Sequence, residues 1–86
     1  MAVEIDAGSA LTLGELVDEA ALQLAAGGVD DAHISARRIG EASAGVEPAD
    51  YATSRSMPLT TRMVAEADAM VRRRAAGEPL QYVVGS

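Results

Sequence analysis

Between Leu13 and Leu24 the apolar residues fall at Leu13, Leu16, Val17, Ala20 and Leu24. That i, i+3, i+4, i+7, i+11 spacing makes one stripe along an α-helix. The signals around it agree. Thr12 stands where an N-cap belongs, with Glu15 three residues on, the capping-box spacing. Glu15, Asp18 and Glu19 lie near the positive end of the helix dipole. Gly27 and Gly28 supply the stop. The expected first helix is therefore Leu13 to Ala26, and a helix with one apolar stripe must cover it with other elements.

The rest of the chain reads the same way. Ala32 to Ala44 is expected as a second helix, capped by Asp30 or Asp31 and ended by Gly45. Its apolar stripe is Ile34, Ile39 and Ala42, and Gly40 inside it costs up to about 1 kcal/mol relative to Ala. Glu47-Pro48 opens a short third helix through Ser54, with Tyr51 turned to the core. Arg55 to Pro58 form a loop. A further helix starts after Thr60 or Thr61 and runs to about Ala76, burying Met63, Val64, Ala67, Met70 and Val71. Arg72, Arg73 and Arg74 fall in its last turns, where cations suit the dipole. Gly77 stops it, and Pro79 starts a short turn through Leu80 to Val83. The sum is an all-α fold, a small bundle of four to five short helices. Residues 1–11 carry no period and read as a flexible leader, 12–77 as the bundle, and 78–86 as a junction. The apolar stub Val83-Val84-Gly85-Ser86 reads as a boundary toward another domain.

Composition narrows the function. With 86 residues the chain holds at most one domain. Tyr51 and Tyr82 are the only aromatics, so the core must be aliphatic and rich in Ala. There is no Cys, hence no disulfide and no thiolate metal site. The net charge of −6 disfavours non-specific nucleic-acid binding. The charge is uneven: residues 1–50 hold ten acids against Arg37 and Arg38, while residues 51–86 hold three acids against five arginines. No apolar run approaches the roughly 18 residues a bilayer span needs, and no signal peptide is visible. The expected setting is soluble and cytoplasmic.

The residues offer little catalytic chemistry. His33 is the only histidine, and its neighbours Asp30, Asp31 and Ser35 sit at a helix start, where such residues cap. Asp30, Asp31 and His33 are too tightly spaced to complete a metal shell. Gly27-Gly28 follows a helix rather than a strand, so it is a cap and not a phosphate loop. No catalytic, cofactor-binding or metal residue is assigned. Arg72-Arg73-Arg74 reads as helix-end compensation or as a docking patch.

The most specific stretch is Val71-Arg72-Arg73-Arg74-Ala75-Ala76-Gly77-Glu78-Pro79-Leu80-Gln81-Tyr82-Val83-Val84-Gly85. It resembles the junction of the PrmC/HemK family of release-factor glutamine methyltransferases, in which a last bundle helix ends in two arginines. There a Gly-Glu-Pro turn comes next, then an apolar residue, Gln, an aromatic or His, and an apolar pair before Gly. More loosely, residues 12–86 resemble the whole N-terminal domain. The segment Ser35-Ala36-Arg37-Arg38-Ile39-Gly40 departs from the family, which carries leucines there. The resemblance implies an N-terminal recognition bundle. Its parent transfers a methyl group from S-adenosylmethionine to the glutamine of the Gly-Gly-Gln motif in a peptide chain release factor. That chemistry belongs to a separate domain with an Asn-Pro-Pro-Tyr motif, and this chain has no Asn. The positions matching the junction are Arg73, Arg74, Gly77, Glu78, Pro79, Gln81 and Tyr82, expected to end the last helix and set the angle toward the catalytic domain.

Two other classes fit the same totals. A free-standing acidic adaptor bundle is one. An acyl carrier is the other, with Ser35 as the nearest candidate attachment site although it lacks the preceding Asp.

Overall fold

A computed structural model describes residues 11–85. Helix α1 spans Leu13–Ala26, α2 Ala32–Ala44, α3 Thr61–Ala75 and α4 Leu80–Val84. Two single 3₁₀ turns, Pro48–Asp50 and Ala52–Ser54, link α2 to α3. Among the described residues there is no strand, only an isolated antiparallel bridge between Thr12 and Pro58. The small all-α bundle read from the sequence is thus the fold. The expected leader over residues 1–11 lies outside the described residues except for Leu11, whose carbonyl accepts from the Leu59 amide at 2.8 Å.

The start of α1 shows why it begins where it does. Thr12 Oγ1 accepts from the Glu15 amide, and Glu15 Oε1 accepts from the Thr12 amide, completing the capping box. The amides of Leu13 and Gly14, orphans in an isolated helix, donate to the carbonyls of Met57 and Arg55 at 2.9 Å each. The loop before α3 therefore doubles as the end-piece of α1. Beyond it, Thr60 caps α3 by accepting from the Met63 amide. At the other end of α1, the left-handed backbone falls on Gly28 (φ 88°), whereas the C-cap Gly27 has φ −86°.

Leu13, Leu16, Val17, Ala20 and Leu24 are all buried, as their spacing requires. On α2 the expected stripe is corrected. Ile39 is buried, but Ile34 is 61 % exposed and Ala42 is also exposed. Glu41 is buried beside its ion pair with Arg37, and the rest of the buried face is Ala32, Ser35, Ala36, Ile39, Gly40 and Ser43, a stripe of the same helical period with a different phase. Its residues are nearly all small. The physical reason is complementarity: α1 presents large side chains, so the facing helix must present small ones for the two backbones to approach. Gly40 marks the closest point. A Cβ there would lie 2.6 Å from Val17 Cγ2 and 3.2 Å from Leu13 Cδ1.

On α3 only Ala67 and Val71 are fully buried, while Met63, Val64 and Met70 are half-buried against the core. Tyr51 closes the bundle between the 3₁₀ turns. The Arg37 guanidinium sits 4.6 Å from its ring centroid. Its hydroxyl accepts from Arg55 Nη1 at 2.9 Å, and Arg55 Nη2 reaches on to Asp18 at 3.0 Å.

Gly40→Ala tests the seam. Helix propensity favours Ala by up to about 1 kcal/mol. Overpacking against the stiff, buried Val17 costs about 1–3 kcal/mol. The expected outcome is a lower urea midpoint with an unchanged slope; a raised midpoint would show the seam to be slack.

Candidate functional site

The junction residues converge at the end of α3, where two arginines fold inward around the turn to α4. Arg73 donates from Nε and Nη2 to Glu78 Oε1, at 3.0 and 2.7 Å. Its Nη2 also donates to the Tyr82 carbonyl at 3.3 Å. One guanidinium therefore spans the residues just before α4 and a carbonyl within it. Arg74 is more enclosed, with its side chain 19 % exposed. It donates from Nη1 to the Glu78 carbonyl at 3.1 Å, from Nη2 to Asp31 Oδ1 at 3.2 Å, and from Nε to Ser35 Oγ at 3.2 Å. Ser35 Oγ in turn donates to Asp31 Oδ1 at 3.1 Å.

The other positions take distinct places. Gly77 turns the chain at φ 107°, a backbone state that other residues rarely adopt. Pro79 is the N-cap of α4. The side chains of Gln81 and Tyr82 are exposed, Tyr82 to 66 %, so their part in the clamp is limited to backbone groups. The run Arg72-Arg73-Arg74 is not a uniform cationic patch: Arg73 and Arg74 are engaged in the turn, and Arg72 is exposed.

Asp31 and Ser35 belong to this cluster, although their sequence context suggested only local capping. Asp31 makes no side-chain cap on α2. Ser35 is fully buried, which leaves no surface for a phosphopantetheine attachment and removes the carrier reading. The one sequence signal that could have found the pair is the carboxylate and hydroxyl at i and i+4, which places both at the start of α2 on one side.

A second surface runs along the outer side of α2. Two adjoining grooves of about 420 and 310 Å³ share Arg38, Glu41 and Pro48. Val46 and Val84 line the larger one, and His33 and Ile34 the smaller. His33 is exposed there with no hydrogen-bonded carboxylate among the described residues. No group of three or more His, Cys, Asp or Glu that could hold a metal occurs among the described residues. No helix among them is long and apolar enough to cross a membrane.

Two carboxyls at the junction titrate low. The Arg73 hydrogen bond holds Glu78 below the ordinary glutamate value, against a smaller opposing effect of desolvation. At Asp31 desolvation pushes the pKa up, but hydrogen bonds from Ser35, Arg74 and the backbone, with the charge of Arg74, together make the net shift downward. A carboxyl depressed in the folded state contributes stability above its unfolded pKa and loses it as pH falls through the folded value. Acidification below about pH 4 is therefore expected to loosen α4 before it unfolds α1. Amide exchange of Val83 and Leu16 measured across that range checks it, with the Glu78→Gln chain showing a flatter response at Val83.

Comparison with known proteins is consistent with this junction. Neither curated proteins nor solved structures give a match to the chain. Residues 15–85, from the capping glutamate of α1 through α4, match the family described as the PrmC N-terminal domain. The match takes in every clamp residue, and this chain belongs to that family.

Proposed function

We propose that this domain is the recognition module of an S-adenosylmethionine-dependent methyltransferase that modifies the Gly-Gly-Gln glutamine of a peptide chain release factor in the cytoplasm. The observation that carries the reading is the family match over residues 15–85. One feature of the bundle supports it. The clamp at Arg73 and Arg74 fixes the direction in which the chain leaves the bundle. That is what a recognition module must control if it is to present a bound protein to a separate reaction centre. S-adenosylmethionine, in this reading, is held by that centre and not by the bundle.

Isothermal titration of the 86-residue chain with a purified release factor tests the proposal. Saturable binding with Kd in the micromolar range is expected, as for a modest interface between domains. S-adenosylmethionine alone is expected to give no heat of binding. Absence of release-factor binding at tens of micromolar, or tight binding of the cofactor by the bundle, overturns it.

A further inference from the structure

Helix α4 is five residues long, too short to hold itself helical in water. It is seated by the buried Val83, by the half-buried Leu80 and Val84, and by the guanidiniums of Arg73 and Arg74. The link through Arg74 differs in kind from the link through Arg73. Arg73 ties α4 to the neighbouring end of α3, within nine residues of chain. Arg74 ties the Glu78 carbonyl to Asp31 and Ser35, which are 43 and 39 residues away. Those two residues sit where the α1–α2 turn enters α2.

We propose that Arg74 is a coupling residue, through which the seating of the α1–α2 turn sets the orientation of α4. Gly77 supplies the pivot, since it stands between the two arginines and the groups of Glu78 and Tyr82 that they hold, at a positive φ that favours glycine. Asp31 supplies the control. Its carboxylate accepts from both Ser35 and Arg74, and it stays 45 % exposed beside a groove of about 530 Å³ lined by Gly28, Asp30, Ala75 and Gly77. Removing that carboxylate takes away one of the three acceptors of Arg74, and the group that holds Ser35, without altering any residue of α3 or α4. By reciprocity, whatever stabilises one seat stabilises the other. A cationic group that draws Asp31 away from Arg74 loosens the exit helix, and a load that displaces α4 loosens the turn. The coupling is a property of the bundle itself and stands whether or not the partner is a release factor.

Amide hydrogen exchange on the ¹⁵N-labelled chain at neutral pH tests it. Two α4-region amides are followed, Val83 (donating to the Pro79 carbonyl) and Gly85 (donating to the Gln81 carbonyl), with Leu16 in α1 as the reference. In Asp31→Ala the α4 amides are expected to exchange about fivefold faster, the factor one net hydrogen bond represents, while Leu16 is unchanged. Asp30→Ala, the adjacent carboxylate outside the clamp, is expected to leave all three within about twofold of the parent, the range of a surface substitution. Asp31→Asn keeps an acceptor for Ser35 and Arg74 but removes the charge, so an intermediate acceleration is expected; this variant also secures the test should Asp31→Ala fold poorly. The proposal is overturned if α4 exchange in both Asp31 variants stays within that same range. It is equally overturned if Leu16 accelerates in the same proportion as Val83, because the effect is then global destabilisation.

Discussion

The contact on which the structure depends is the seam between α1 and α2, closed at Gly40 to less than the room a Cβ would need. An aliphatic core with one buried tyrosine has few large side chains to distribute, and this domain places four of them, Leu13, Leu16, Val17 and Leu24, on α1. Helix α2 answers with Ala32, Ser35, Ala36, Gly40 and Ser43, so the energy of the seam comes from close-packed dispersion over backbone and small side chains. The distance and rotation of α2 are fixed there. Everything α2 carries is positioned by the same contact: Arg37 over Tyr51 on one side, and Asp31 with Ser35 toward α3 on the other.

The polar groups follow a similar economy. The loop ahead of α3 closes the amino end of α1 with the carbonyls of Arg55 and Met57, so two donors are satisfied by backbone alone. Asp18, Asp31 and Glu78 each meet an arginine from a different part of the chain or turn, and the half-buried Arg74 shares its donors among three acceptors. Among the described residues, no buried side-chain nitrogen or oxygen lacks a partner. Exposed pairs of this kind contribute little stability singly. Their value here is directional, because a guanidinium with several fixed acceptors defines an orientation.

The candidate site was partly legible. Arg73, Arg74, Gly77, Glu78 and Pro79 stand within seven residues, and their order already describes a helix end, a turn and a restart. What could not be read locally was the destination of Arg74. A side chain in the last turn of a helix is expected to serve that helix's own dipole, and Asp31 before an α-helix is expected to serve that helix's own amides. The structure joins them instead, across 43 residues. Ile34 teaches the same lesson from the apolar side. Hydrophobicity places it in the core, yet the phase of α2 is set by where small residues allow approach, and Ile34 faces the groove.

Local sequence was enough to place α1, α2 and α3 along the chain, because caps, glycines and helical periodicity act over three or four residues. It was also enough to carry the family likeness of the junction, which lies in one contiguous stretch. The buried face of α2 and the inward turn of Arg73 and Arg74 were settled at a higher level, by the packed bundle. They depend on groups brought together from distant parts of the chain, and their energies exist only once α1 and α2 have closed on each other.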